Sequence, residues 1–245
     1  MKVKTPVYLI FIFLTAQVFA QPSGKELLSL IDGNMAAKTR TLTAKMIVGG
    51  ARESRTIEFN SWSEGDKRAF TEYTSPAREK GTKMLKLEDK LWIFSPSTDR
   101  IIQITGQMLR QSVMGSDLSY EDMMNNGDLS SHYNASVTGN DTLQGRKCWT
   151  LRLDAISDNE AYQLRIVMVD KERNIPLREE LYAKSGKLLK RIQLSDVEKV
   201  QGRWFPMKML YKDMLKTGDG TQFIFDNIKL DEPLPENIFS KASLK

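Results

Sequence analysis

Apolar and polar residues alternate with period two over most of this chain, the pattern of half-buried strands with one face in a core and the other in water. Leu42, Ala44, Met46 and Val48 share one face of a first strand, Ile57 and Phe59 lie on the next, and Ala69, Thr71 and Tyr73 on a third. The alternation returns at Trp149, Leu151 and Leu153, at Tyr162, Leu164, Ile166 and Met168, and in runs near 176–183, 187–195, 203–212 and 221–230. Turn residues separate the runs, as at Gly49-Gly50, Glu64-Gly65-Asp66, Ser185-Gly186, Gln201-Gly202 and Gly218-Asp219-Gly220. Roughly ten or more sequential strands joined by short turns predict a mainly β fold, a large curved antiparallel sheet, because open twisted sheets of that size curl or close. One stretch has helical period instead. Ser23 and Glu26 form a capping-box pattern, and Leu27, Leu30, Ile31 and Met35 recur at helix spacing, predicting an amphipathic helix from 24 to about 36. Its apolar stripe must complete a core or roof a cavity.

The middle of the chain departs from simple alternation. Leu91-Trp92-Ile93-Phe94 is apolar on both alternate faces, and Ile101, Ile102 and Ile104 follow a short turn, which predicts a central strand pair covered on both sides. Gly106 and Gly115 then bracket Met108, Leu109, Val113 and Met114, a pattern that suits a short mobile element better than a strand. Five of the 12 methionines fall between Met84 and Met124. Flexible thioethers adapt to irregular apolar partners, so the cluster fits a surface for apolar ligands or gap-filling in an ordinary core. Ser119 to Asp122 reads as a helix start carrying Tyr120, Met123 and Met124. No fixed-period repeat or interdomain linker occurs, and the polar interval 125–140 is the size of one exposed loop plus the start of a hairpin. One domain over 21–245 is expected.

Residues 1–20 read as a secretory leader: Lys2 and Lys4 precede an uncharged apolar stretch from Val7 to Leu14, and Val18-Phe19-Ala20 is a small-residue cleavage pattern. The apolar stretch is short of the about 20 residues needed to span a bilayer. Cleavage after Ala20 and a soluble mature protein outside the cytoplasm are the expectations, and without a cysteine at position 21 lipid anchoring is not expected. The lone Cys148 rules out an internal disulfide, so the core alone must hold the fold. Loss of Lys2 and Lys4 leaves an excess of only three basic residues over the 31 acidic ones, dispersed along strand faces, which argues against a nucleic-acid partner. The single His132 sits in the polar interval without an obvious triad or metal-ligand set, and no G-x-S-x-G, H-E-x-x-H or phosphate-loop motif occurs. Adjacent carboxylates such as Glu179-Glu180 point to opposite faces of a strand and make no glycosidase pair. A non-enzyme without cofactor or metal is the expectation.

KGTKML at 80–85, LWIFSPSTDRIIQI at 91–104 and above all SVMGSDLSYEDMM at 112–124 resemble the outer-membrane lipoprotein-sorting proteins of the LolA-like superfamily. GNDTLQGRKCWTLRLDA at 139–155 and PLPENIFSKASL at 233–244 extend the resemblance over nearly the whole mature chain. It implies an incomplete β-barrel with a few helices over its open side, enclosing an apolar cavity for lipid chains. It also implies a periplasmic monomer that carries an acylated lipoprotein or another lipid from an inner-membrane transporter to an outer-membrane acceptor. The alternative is a chaperone for lipids or hydrophobic small molecules serving an RND-type exporter; a structural envelope protein would instead have a filled core. Candidates for the cavity and its cover are Trp92, Phe94, Ile102, Ile104, Met108, Leu109, Met114, Tyr120, Met123, Met124, Trp149 and Leu151, with 24–36 and 106–125 as the moving parts. Superfamily carriers close their lid with a strand arginine, a role that no local motif assigns to Arg52, Arg55 or Arg68.

Overall fold

The computed structural model describes residues 21–49, 54–124 and 129–245; the expected leader and Asn125 lie outside them. Helix α1 (Gly24–Met35) forms as its period predicts, with the full capping box: the Ser23 side chain accepts from Glu26 N–H and the Glu26 carboxylate accepts from Ser23 N–H. Leu27, Leu28 and Ile31 are buried, and Leu30 stays outside. Gly24 fits where no other residue would, because an added Cβ would lie 2.1 Å from the Ala135 carbonyl oxygen.

The strands are β1 (Thr39–Gly49), β2 (Ser54–Glu64), β3 (Arg68–Ser75), β4 (Lys83–Leu87), β5 (Lys90–Ser95), β6 (Arg100–Ile104), β7 (Tyr133–Leu143), β8 (Arg146–Ala155), β9 (Leu164–Asp170), β10 (Pro176–Tyr182), β11 (Leu188–Val200), β12 (Arg203–Asp213) and β13 (Thr221–Leu230). They make one 13-stranded antiparallel sheet in the order β6-β5-β4-β3-β2-β1-β13-β12-β11-β10-β9-β8-β7. Two meanders, β1–β6 and β7–β13, are thus joined in the middle by β1 against β13. The sheet does not close on itself: β6 and β7 are its two edges. They are consecutive strands, so the chain between them, residues 105–132, must run from one edge of the sheet to the other. All other consecutive strands are neighbours in the sheet.

The register assigns each residue to a face. Met46 faces Ile57 and Phe223, Leu151 faces Val167, and Leu91 faces Ile104, so one inner face runs continuously through the whole sheet. Helix α1 covers the β7–β9 part of it, burying Leu27, Leu28 and Ile31 with Tyr133, Leu151, Leu153, Val167 and Val169. The opposite face carries smaller clusters, one around Cys148 and Met168, the other around Phe70, Leu85 and Trp92. The β5–β6 pair is therefore at the edge of the sheet and not central as its two apolar faces suggest. Those faces are apolar because the 105–124 segment covers one and the C-terminal residues Ile238, Phe239 and Leu244 cover the other. Within the polar interval, residues 129–132 form a short helix, α3 (Leu129–His132), that leads directly into β7.

Candidate functional site

Residues 105–124 form a cover over the inner face. Two 3-10 turns, Gly106–Arg110 and Val113–Gly115, lead to a short helix, α2 (Tyr120–Met124). A small internal bridge stiffens it: Val113 N–H donates to Leu118 O and Tyr120 N–H to Gln111 O. At Met114 and Gly115 the backbone turns with φ of 50° and 74°, a left-handed corner that a glycine accepts freely and a methionine only at a cost. The cover lays Met108, Leu109, Val113, Met114, Leu118, Tyr120, Met123 and Met124 against an inner face that presents Met46, Ile57, Tyr73, Met84, Leu91, Ile104, Tyr211 and Phe223. Each fully buried side chain of this kind contributes about 1.5–3 kcal/mol. Seven methionines meet in that one cluster, from both the cover and the sheet. Thioether chains repack around a new partner at less cost than branched ones.

Polar groups clasp the cover's main chain at four points. Arg55, in phase with Ile57 and Phe59 on the inner face, donates to the Met114 carbonyl and pairs with the buried Glu79 at 3.1 Å. Lys86 donates to Met124 O at 2.8 Å, and Lys216 to Ser116 O at 2.8 Å and Ser112 Oγ at 2.6 Å. The fourth and most buried is Lys190, whose ammonium donates to Asp117 O at 2.7 Å and lies 3.2 Å from Asp213 and 3.4 Å from Asp122. Asp117 is itself anchored, its carboxylate accepting from Thr221 Oγ1 and Asp213 N–H, both at 2.9 Å. Asp122 accepts from the Ser119 hydroxyl at 2.6 Å and from the Tyr162 hydroxyl. Burial pushes the Asp122 carboxyl up, but Lys190 and these hydrogen bonds outweigh it and leave the group below the usual carboxylate range.

The structure brings together seven of the residues expected at the site: Ile104, Met108, Leu109, Met114, Tyr120, Met123 and Met124 all belong to the cover cluster. Ile102, opposite Ile93, shares that inner face but is 46% exposed at the edge strand. Trp149 and Leu151 lie on the same face of the sheet but under α1, away from the cover. Trp92 and Phe94 need correction. They point to the other side of β5 and pack with Phe70, Leu85 and Leu244, because residues of opposite parity on a strand cannot share a face with Leu91 and Ile93. The Lys241 ammonium sits 4.4 Å from the centre of the Trp92 ring and completes this outer contact. Trp92→Ala is accordingly expected to lower stability by about 3–5 kcal/mol while lipid binding by the folded fraction stays unchanged. Denaturant unfolding alongside fluorescent-lipid titration measures both, and weakened binding would put the indole back at the ligand.

Of the clasp residues only Arg55 is a candidate in the sequence, without an assigned role, yet a signal is there for others: Arg55, Lys86 and Lys190 are each in phase with an apolar strand face. Two open cavities border the end of the cover. One of ≈ 340 Å³ lies beside Lys86, Glu88, Leu109 and Met124. The other, ≈ 90 Å³, lies between Met124, α3 and β9. His132 borders the second with its Nδ1 in hydrogen-bond contact with Glu160 Oε1 at 2.8 Å. The inner face itself is filled by the cover. Among the described residues no group of His, Cys, Asp and Glu could hold a metal ion, and no helix is long and apolar enough to cross a membrane.

A family model described as "Uncharacterized protein" matches residues 65–245, from the β2–β3 turn through the cover to the C-terminus. The chain belongs to this family. Its fold is that of the LolA superfamily. A DUF1329 family protein from Desulfovibrio piger superposes with a TM-score of 0.82 at 23% identity, covering 91% of this chain and 98% of its own. A putative outer membrane lipoprotein-sorting protein domain from Vibrio parahaemolyticus gives 0.76 at 22% identity, over 90% of this chain and 95% of that one. A LolA superfamily protein from Nitrosomonas europaea also gives 0.76, at 21% identity, over 91% and 100%. No curated protein matches the sequence.

Proposed function

We propose that this protein is a non-enzymatic periplasmic carrier that takes acyl chains of a lipoprotein or another lipid onto the inner face of its sheet, in the place that residues 105–124 now occupy. The observation that carries this reading is the kind of attachment the cover has. Its side chains are apolar and methionine-rich, and its main chain is held by cationic side chains at Met114, Ser116, Asp117 and Met124 with no strand pairing to the sheet. Such a segment can leave without breaking a β-ladder, and the apolar surface it uncovers calls for a substitute. An acyl chain supplies one: each CH₂ removed from water is worth about 0.8 kcal/mol. Competition between cover and chain for one surface keeps the net affinity low enough for release, as a carrier between a transporter and an acceptor requires. The superfamily fold, and the lipoprotein-sorting description of a structural neighbour, support the same reading.

Mass spectrometry of protein purified from its own host should find co-purified acyl lipid. Hydrogen exchange over 106–124 should be slow in the empty protein and fast once a long-chain fatty acid is bound, with the strands around 149–169 unchanged. Absence of lipid together with no displacement of a fluorescent fatty acid would overturn the carrier reading.

A further inference from the structure

Among the basic side chains that project from apolar strand faces into the interior of this fold are Arg55, Lys86, Arg165 and Lys190. Three of them end on a carbonyl of the cover. Arg165 is different. In phase with Val167 and Val169 on β9, it stacks against two tyrosine rings, its guanidinium carbon 5.1 Å from the centre of Tyr133 and 5.7 Å from that of Tyr162. The side chain is only 11% exposed, and among the described residues its Nε is buried without a hydrogen-bond partner. Its nearest carboxylate, Glu179, is 3.9 Å from Nη1, beyond hydrogen-bond reach. Burial pushes the Glu179 carboxyl above its usual range, with Arg165 opposing only in part, while Glu179 and Tyr133 help keep the buried guanidinium charged; without contact, Glu179 leaves the Nε donor open. A desolvated guanidinium with a spare donor is costly unless an anion completes it.

The ≈ 90 Å³ cavity supplies the room. Arg165, Tyr162, Tyr133 and His132 form its polar side, and Met124 and Leu129 its apolar lip, at the end of the cover. The volume suits a group of a few heavy atoms, a headgroup and not a chain. The two acids on its wall do not compete for Arg165: Glu160 is held by His132, and Asp66 is exposed on the β2–β3 turn. When the cover leaves, Arg55 keeps Glu79 and Lys190 keeps Asp213, both outside the cover. Arg165 keeps only Glu179, at the longer distance of 3.9 Å.

We infer that this cavity is a headgroup site, in which Arg165 receives the carboxylate or phosphate of an anionic amphiphile whose chain lies on the inner face in place of the cover. The planar guanidinium offers parallel N–H donors that match either group. This inference rests on the carrier reading and narrows its cargo: an anionic lipid is preferred to a neutral one of equal chain length.

The test titrates the full-length mature protein with palmitate, monopalmitoylglycerol and chainless anions (acetate and inorganic phosphate), by displacement of a fluorescent lipid or by calorimetry. Palmitate should bind about tenfold or more tighter than monopalmitoylglycerol, the range expected of a charge-assisted hydrogen bond. Arg165→Gln should erase that preference by weakening palmitate alone, and the chainless anions should bind far more weakly than palmitate. Glu179→Gln, which removes the competing acid, should tighten palmitate severalfold and keeps the test decisive if Arg165→Gln does not fold. Equal binding of the two lipids, unchanged by either variant, would overturn the headgroup site and leave the carrier intact. Acetate or phosphate binding as tightly as palmitate would overturn the lipid assignment in favour of a free anion. Failure of every lipid to bind would overturn both readings together.

Discussion

A disulfide between positions 117 and 221 should abolish lipid uptake while raising thermal stability. Asp117 N–H donates to Thr221 Oγ1 and Thr221 Oγ1 donates to the Asp117 carboxylate, both at 2.9 Å, so the two side chains meet where the cover touches β13. Cysteines at both positions can bridge the cover to the sheet, and the native Cys148 is buried on the other face, where it takes no part in the exchange. Oxidised, the Asp117→Cys/Thr221→Cys protein has its inner face closed permanently. Binding of a long-chain fatty acid should become undetectable, and a reductant should restore it. Crosslinking also constrains the unfolded chain over a loop of about a hundred residues, worth up to roughly 4–5 kcal/mol in the chain-entropy account. Lipid binding that survives oxidation would mean that the chain enters elsewhere and that 105–124 is a fixed wall.

Lys190→Met should be among the most destabilising single substitutions in the protein, at about 3–5 kcal/mol, because removing one member of a buried ion cluster strands the rest. Lys190 is the cation within salt-bridge distance of both Asp122 and Asp213, and methionine keeps its apolar stem while deleting the charge. A fall in Tm of roughly 10 °C or more is expected, and Asp122→Asn in the same chain should recover part of it. A loss below about 1 kcal/mol would show the cluster to be solvated. The pH dependence has a definite sign. The Asp122 carboxyl is held below its usual range in the folded protein, so its stabilisation is complete above the unfolded value near 3.9 and is lost as pH falls through the lower folded value. Acid below about pH 4 should therefore loosen the cover at its α2 end, whereas this carboxyl contributes nothing to any change between pH 5 and 8. Hydrogen exchange of 106–124 in the wild type and in Asp122→Asn separates this group from the other carboxylates.

Much of the architecture follows from period alone. A strand's side chains alternate strictly, so Leu42, Ala44 and Met46, or Trp149, Leu151 and Leu153, declare their strand and their common face wherever the chain later puts them. Capping is equally local, and Ser23 with Glu26 starts α1 in the structure as the pattern requires. The Met-rich stretch between Gly106 and Gly115 likewise announced an irregular apolar element, which the structure places over the inner face. Which of two apolar faces meets which partner is not a local property. Trp92 and Ile93 are equally greasy, and only the C-terminal segment on one side and the cover on the other separate them.

The largest gap concerns charge. Arg55, Lys86, Arg165 and Lys190 each look like surface residues until the register puts them among Ile57, Met84, Val167 and Ile192. Three of them reach the carbonyls of Met114, Met124 and Asp117, all distant in sequence, and Arg165 stacks on Tyr133 and Tyr162 beside a cavity. The sequence by itself determined the strands, their faces, the first helix and the apolar character of the cover, because propensity, alternation and capping act over a few residues. The tertiary structure alone decided that β1 pairs with β13, that consecutive strands β6 and β7 become opposite edges, and that the segment between them must therefore cross the mouth. That arrangement depends on contacts between residues far apart in the chain, which no local spacing records. It also makes a closing cover out of a stretch that would otherwise be an ordinary loop.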